Sequence, residues 1–440
     1  MSASSLALEI IHFLQSKGHK AYLVGGCVRD RLLGQNPKDY DVATDAKPNQ
    51  ILSYYPESDR VGAQFGVVLV RGPEGAQVEV ATFRSDRGYT DGRRPDQVEF
   101  ESDPKQDVIR RDFTINALLE NPVTGEVLDY VGGQEDLRNG VIRAIGIPEL
   151  RFREDHLRMV RAIRFAARLN FEIEPATLEA IRALASLAQD VAGERVRGEL
   201  IRILTEGHAR RGMELLDESG LLRVLLPEVK ALQGVAQPPE YHPEGDVWVH
   251  TLMMLDKLDH PSATLAIGAL LHDIGKPATF RVADRIRFDG HAEAGVEIAR
   301  GILERLRFSR NETDQILGLI SNHMRFKDVP RMRQSTLKRF LRLPDFDEHL
   351  ELHRVDCLAS HGDLDIWRFA RENLAALGED ELRPKRLLTG RDLIAAGYRP
   401  GPELGRALEE VETAQLEGLI HTKDEALRFA KKLAAGRICC

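Results

Sequence analysis

The sequence predicts an α+β N-terminal head, a mixed sheet with helices, followed by an all-α remainder. Three observations carry this. Between residues 21 and 100, short valine-rich runs are separated by Gly- and Pro-containing turns, the signature of strands. From Phe152 onward the apolar positions recur at helical spacing. The 440 residues exceed what one hydrophobic core holds, so about two to four domains are expected. The expected divisions are 1–142 (head), 143–235 (helical neck and body), 236–375 (a second helical unit) and 376–440 (helical tail).

The first 20 residues predict an amphipathic helix, with Leu6, Ile10, Ile11 and Leu14 on one face and Gly18 as its stop. Strands follow at Ala21–Val24, Asp39–Ala43, Gly66–Val70, Val78–Phe83 and Val98–Phe100. Between the first two lie Gly25-Gly26 and a short helical segment that closes on Gly34. Arg84 to Pro95 is charged, glycine-containing and aperiodic, and predicts a mobile loop carrying four arginines. In Glu154 to Phe165 the apolar residues Leu157, Val160 and Ile163 predict one continuous helix. Further helices run to residue 235. A Pro-rich lead-in at 236–245 opens the second unit. In the tail, Thr389 is positioned to cap a short helix, Gly397 to Pro402 forms a turn, and Lys423 to Gly436 closes the chain as a helix.

Composition is that of an ordinary globular protein, 42% hydrophobic and 30% charged. No apolar run approaches the ~18–20 residues that cross a membrane, and the N-terminus lacks the basic and apolar regions of a secretory signal. The four cysteines (Cys27, Cys357, Cys439, Cys440) have neither disulfide nor metal-ligand spacing, so a reducing cytoplasm is expected. A net charge of −8 excludes a protein that is basic throughout, but a local basic stripe is enough to hold nucleic acid.

The first chemical constellation is Ala21–Thr44. On a strand, Asp39 and Asp41 project from one face, and two carboxylates held that close call for a hard cation. The neighbouring Gly-Gly lets a triphosphate approach the backbone at a helix start. Glu79 reads equally as a third carboxylate or as an exposed strand residue. Arg110, Arg111, Asp112 and Asn116 predict phosphate and sugar partners at a helix start, because the arginine fork donates in pairs. Asp155, Arg158 and Arg161 are spaced by three, with Arg164 continuing the line. This face is either a run of i,i+3 salt bridges or a base-reading edge. As an edge, a carboxylate and a guanidinium together match cytosine and adenine and suit guanine and uracil poorly.

The second constellation is His250, His272-Asp273, His291, His323 and Asp356, on successive helices. Imidazole and carboxylate ligands together suit a divalent metal, and further histidines let the His-Asp pair bridge two ions.

The chain resembles the class II tRNA nucleotidyltransferases, the CCA-adding enzymes, and their bacterial poly(A) polymerase relatives. The motifs that carry the likeness are GGCVRDRLLG…DYD, ATFRSDRGYTDGRRP, RRDFTINAL, DYVGGQEDL and EDHLRMVRAIRFAARL, in order over residues 20–205. Residues 236–375 resemble an HD phosphohydrolase domain, and LLTGRDLI…GYRPGPELGRAL resembles a tail of the same enzymes. The resemblance implies a polymerase-β-like head in which Asp39 and Asp41 bind two Mg2+ ions. It implies that Gly26 and Arg29 contact triphosphate and that Arg111, with Arg110, Asp112 and Asn116, binds phosphate and ribose. Asp155 and Arg158 would select CTP and ATP, with Arg161 and Arg164 as further nucleotide contacts. His250, His272, Asp273, His291, His323 and Asp356 would hold the divalent metal, of unspecified identity, of an HD site. The implied partners are tRNA, CTP and ATP, with no membrane; monomer and homodimer stay open.

Within that family the full 84–95 segment disfavours addition of CC alone, since members of that type shorten it. Poly(A) members carry a basic segment after the second strand, where Arg60 to Gly66 here lacks a basic pair. Complete CCA addition is therefore expected, with A-only addition or poly(A) synthesis as the alternative. A different class, an HD phosphohydrolase acting on nucleotides or RNA ends with a silent head, is opposed by the intact Asp39, Asp41, Asp155 and Arg158. A non-catalytic RNA-binding protein would show neither activity.

Overall fold

The computed structural model describes residues 2–59, 65–89, 92, 95–240 and 242–436. Two compact units emerge, one of residues 1–230 with 305–307 and one of residues 231–304 with 308–440. The segment at 60–64, Thr90, Asp91, Arg93 and Arg94 of the charged stretch, Tyr241 of the lead-in, and Cys439-Cys440 lie outside the described residues. Cys27 and Cys357 are buried free thiols. Among the described residues no helix is long and apolar enough to cross a membrane.

The first unit opens on α1 (Ala3–Ser16), capped by the Ser2 hydroxyl, with Leu6, Ala7, Ile10, Ile11 and Leu14 buried. Its sheet runs in the order β3-β4-β2-β1-β7-β8, where β1 is Ala21–Val24, β2 Asp41–Thr44, β3 Val67–Arg71, β4 Gln77–Thr82, β7 Leu119–Asn121 and β8 Glu126–Leu128. Only β2 and β4 pair in parallel, with Asp41 opposite Glu79. Val78, Val80 and Thr82 face the core and Glu79 faces out, as strand alternation requires. Val24, Ala43, Phe83, Val108, Ala117, Leu119 and Ile145 form a core beneath this sheet.

Two expectations are corrected here. The strand β2 begins at Asp41, so Asp39 lies before it, exposed, and the two do not share a strand face. The stretch from Arg84 is not a loop throughout. Residues Arg84–Arg87 (β5) pair antiparallel with Gln97–Phe100 (β6), and the strand's polar side chains find partners there, Arg84 with Asp86 at 3.0 Å and the Ser85 hydroxyl with Glu101 at 2.7 Å.

Helices α2 (Gly26–Leu32), α3 (Pro48–Tyr54), α4 (Pro104–Ile109) and α5 (Gly133–Asn139) complete the head. The body follows with α6 (Pro148–Glu154), α7 (Leu157–Leu169), α8 (Pro175–Leu184), α9 (Gly193–Thr205) and α10 (Ala209–Glu218). The expected continuous helix from Glu154 to Phe165 is broken. Asp155 is extended (φ −145°, ψ 105°), and its carboxylate accepts from the Leu157 N–H at 3.1 Å, as a helix-starting aspartate does. Asp155 therefore precedes the face that carries Arg158, Arg161 and Arg164.

The second unit is mostly helical; against the all-α expectation it also holds a short antiparallel pair, Arg281–Val282 with Ile286–Arg287. Its ligand-type residues lie on the helix Val247–Lys257, on the turn after Ala263–Leu271, at the start of His291–Arg305, at the end of Arg310–Asn322 and within Phe346–Ala359. The tail helices Gly390–Ala395, Pro402–Leu416 and Lys423–Gly436 share a core of Leu388, Leu393, Ala407, Val411 and Ala426, with Thr389 as the first one's cap.

Candidate active site and metal centre

The turn from β1 into α2 requires glycine at Gly25, whose φ of 78° is in the left-handed region. Gly26 is the first residue of α2. An Arg111 guanidinium nitrogen would lie 3.7 Å from a Cβ at Gly25, so this arginine roofs the turn. Asp41 stands beside it, next to Glu79 in register. Burial, then Glu79, pushes the Asp41 carboxyl up to about 6; Arg111 opposes the rise and Asp39 adds to it. A carboxyl crowded by two more carboxylates is a site short of positive charge, and its all-oxygen donors fit a hard divalent cation.

The arginines of this region are braced by acids. Arg110 and Arg111 do not start a helix: Asp103 and Pro104 begin α4 earlier, and Arg110 is its C-cap. Both instead bond the buried Asp107, Arg110 at 2.5 and 2.9 Å, Arg111 at 2.7 and 3.2 Å. Arg29 is buried, donating to Asp30 at 2.6 and 2.8 Å and to Asn116 at 2.6 Å. Asp112 accepts from Arg161 at 2.5 and 2.9 Å and from the Asn116 amide at 3.3 Å. Burial opposes ionisation of Asp112, but Arg161 outweighs it and holds the carboxyl down at about 2.

Arg158 donates to Glu154 at 2.7 Å and to the Arg151 and Arg110 carbonyls. Arg164 is buried over the Phe165 ring, 2.9 Å from Glu199 in an ion pair without hydrogen-bond alignment. Burial lowers its guanidinium to about 10. Asp155 is gripped by Arg195 through two bonds, 3.0 and 2.8 Å. Asp107, Arg195 and Glu199 escaped the sequence reading, although Arg195, Glu199, Arg202 and Glu206 repeat at helical spacing.

In the second unit the predicted histidines and aspartates converge. Ligand atoms of His250, His272 and Asp273 lie within 4.8 Å of one another, as do those of Asp273, His291 and His323. Asp356 is 3.1 Å from His250 Nε2. His272, His291 and His323 each direct Nδ1 at the carbonyl three residues earlier, at 2.9, 2.8 and 2.6 Å. In the neutral tautomer that donates there, Nε2 is left as the free lone pair that can bind a metal. Nε2 of His291 and of His323 nevertheless face each other at 3.2 Å, and that of His272 is buried 3.0 Å from Asp273 without hydrogen-bond alignment. Lone pairs turned on one another in a buried pocket are the donor set of a transition-type divalent ion.

Burial and the neighbouring histidines lower His323 to about 4 despite Asp273. Burial opposes charge on His250, but Asp356 and Glu244 overcome it and raise the imidazole to about 9. Glu244, 2.7 Å from His250 Nδ1, and Lys276, 2.6 Å from Asp273, were not legible as part of the site. A cavity of ≈ 640 Å³ opens beside the cluster, with Lys276, Arg285, Arg287 and Lys327 among its walls.

Gly275 seats this site. A Cβ there would fall 2.1 Å from the His291 carbonyl oxygen and 2.6 Å from the Gly295 nitrogen, both backbone atoms. Gly275→Ala is expected to cost about 2–3 kcal/mol, read as a lower denaturant midpoint for this unit, together with weakened metal uptake. An unchanged midpoint would contradict the packing described.

Residues 21–143 match the poly A polymerase head domain, 170–233 a probable RNA- and SrmB-binding site of polymerase A, 245–347 the HD domain and 383–430 a tRNA nucleotidyltransferase domain 2. The chain is 35% identical over 434 residues to a CC-adding tRNA nucleotidyltransferase of Thermus thermophilus, covering 95% of this chain and 94% of that one. It is 34% identical over 420 residues to a multifunctional CCA protein of Nitrosococcus oceani, covering 92% and 99%. The crystal structure of the Bacillus stearothermophilus CCA-adding enzyme in complex with CTP matches with a TM-score of 0.76 over 100% of both chains, at 27% identity.

Proposed function

We infer the activity from one premise: the chain belongs to the family of CCA-adding tRNA nucleotidyltransferases and poly(A) polymerases that carry an HD domain. It is a nucleotidyltransferase that adds C, C and A to the 3′ end of tRNA from CTP and ATP. The match of the whole chain to the CTP-bound Bacillus enzyme carries this reading. The division proposed is head 1–142, neck and body 143–235, HD domain 236–375 and tail 376–440. A tRNA substrate supports a cytoplasmic location.

Asp39 and Asp41 are the catalytic pair, and their oxygen donors fit Mg2+. Bound there, Mg2+ supplies activation of the tRNA 3′-hydroxyl and neutralisation of the leaving pyrophosphate. The chain's own residues position the reactants. Gly25 and Gly26 let the triphosphate approach the backbone, and Arg29 and Arg111 orient it. Arg110, Asp112 and Asn116 set the ribose. Asp155 and Arg158 read the base, with Arg161 and Arg164 holding that helix in place. Because the arginines are already fixed by acids, they hold their geometry before substrate arrives. The tRNA is held by shape and phosphate contacts along the helical body.

One observation favours a narrower activity: the Thermus relative adds C alone. The retained 84–95 segment favours the full sequence of additions. Transcripts ending before C, after C and after CC, each given CTP, ATP or both, separate the readings. Complete CCA addition predicts extension of all three, with ATP used only after CC. Failure of ATP incorporation on the CC-ended transcript would assign C addition alone, and long A tracts would assign poly(A) synthesis.

The HD cluster supports a second activity, hydrolysis of a phosphate ester. Its donor set fits a divalent metal, and Lys276, Arg285, Arg287 and Lys327 supply cationic walls for a phosphoryl group.

A further inference from the structure

Helix α9 lies against α7 and answers it charge for charge. Arg195 bonds Asp155, Glu199 pairs with Arg164 and Arg161, and Glu206 lies 3.8 Å from Arg168. Arg195, Glu199 and Glu206 fall on one face of α9, at i, i+4 and i+11.

The Arg195–Asp155 contact is the informative one. A carboxylate has about four lone-pair sites, two on each oxygen. Among the described residues, Asp155 Oδ1 accepts from Arg195 Nη1 at 3.0 Å and from the Leu157 N–H at 3.1 Å, so its two sites are filled. Oδ2 accepts from Arg195 Nη2 alone, at 2.8 Å, which leaves one site. The fork also fixes the plane of the carboxylate and so aims that site. Both side chains are about one-fifth exposed (20% and 18%), so the remaining site is reachable.

We propose that Arg195 is a positioning residue for base selection, holding Asp155 so that a single acceptor site on Oδ2 meets the exocyclic amino group common to cytosine and adenine. Uracil and guanine carry a carbonyl oxygen where cytosine and adenine carry that amine. They bring a second acceptor against an acceptor-only carboxylate, with no proton between them. The inference rests on Asp155 reading the base, and its test keeps the two claims apart.

The measurement is steady-state incorporation of CTP, ATP, UTP and GTP on the three tRNA ends. The proteins are the wild type, Arg195→Gln, Arg195→Lys, Asp155→Ala and the Asp155→Ala/Arg195→Gln double variant. Arg195→Gln is expected to raise KM for CTP and ATP about 10- to 100-fold, with a smaller change in kcat, and to raise relative use of UTP and GTP. Arg195→Lys, which restores the charge without the fork, should recover part of the affinity and less of the selectivity. In the Asp155→Ala background, Arg195→Gln should change selectivity no further.

If Asp155→Ala leaves the preference for CTP and ATP intact, the base-reading role of Asp155 falls. If Asp155→Ala abolishes the preference while Arg195→Gln keeps it, the positioning inference alone falls. Equal losses of kcat for all four nucleotides in the Gln and Lys variants, with KM unchanged, would reduce Arg195 to a packing role and overturn the proposal. The double-variant comparison holds even where Arg195→Gln lowers stability, because it reads coupling and not total activity.

Discussion

Asp41→Ala is expected to lower incorporation of CTP and ATP alike by about 10³-fold or more, with KM little changed, because several kcal/mol of transition-state charge stabilisation depend on a catalytic metal, which Asp41 is proposed to bind. The loss falls on both nucleotides because Asp41 lies on β2 beside Glu79 and Arg111, and the residues proposed to read the base lie on and before α7. Asp41→Asn, which keeps the shape and removes the charge, should be nearly as damaged. Acid should mimic it. Burial and Glu79 raise the Asp41 carboxyl to about 6, so divalent-ion affinity should fall as pH drops through about 6, with proton release on ion binding just below that value.

The linked effect on the metal-free protein has the opposite sign. A carboxyl raised in the folded state contributes stability below its unfolded value of 3.8 and loses it as pH rises through about 6. An Asp41→Asn protein without divalent ions should therefore show less destabilisation than the wild type between those values. Nucleotide incorporation by Asp41→Ala at wild-type rate would remove Asp41 from the chemistry.

Asp273→Ala is expected to empty the HD cluster of both ion positions at once. Asp273 belongs to the group with His250 and His272 and to the group with His291 and His323. Burial opposes its charge, but His272, Lys276 and His323 overcome this and hold the carboxyl well below its usual range. Loss of metal affinity should exceed the about 10- to 100-fold typical of an outer hydrogen-bond partner. Equilibrium dialysis with Mn2+, Co2+ or Ni2+ reads it, and tRNA extension should persist.

Removing Asp273 also strips the buried Lys276 of its 2.6 Å partner, at a cost of about 3–5 kcal/mol. Asp273→Asn, which keeps the volume, separates metal loss from unfolding. Hydrolysis of a phosphate-ended or cyclic-phosphate nucleotide that survives Asp41→Ala and disappears in Asp273→Asn would assign the activity to this cluster. Unchanged metal stoichiometry in both Asp273 variants would show that the ions bind elsewhere.

The elements were legible where pattern and packing agree. The α1 face was readable because Leu6, Ile10, Ile11 and Leu14 repeat at helical spacing and all four are buried. The ligand histidines were readable as a set because their residue types are rare together, and the fold brings them within 4.8 Å in groups. The continuous helix through Asp155 failed for a local reason: an aspartate that caps the next turn fits the helical period while breaking the helix.

The strand face shared by Asp39 and Asp41 failed because strand boundaries are set by pairing. Val24 pairs with Asp41, and the ladder stops there. Arg195, Asp107 and Glu244 were invisible for a different reason. Each acts by contacting a side chain elsewhere in the sequence, at 40, 3 to 4 and 6 residues' distance. Charged residues of that kind look the same as solvated ones until the chain is folded.

The three carbonyl-tethered imidazoles have a kinetic consequence. His272, His291 and His323 are already turned, each with Nδ1 against a carbonyl and Nε2 directed into the cluster. An arriving ion waits for no ring flip at these residues. Loading is then governed by how fast the ion sheds its own water. Ions that exchange water quickly should fill the HD cluster sooner than Ni2+, whatever their final ranking by affinity.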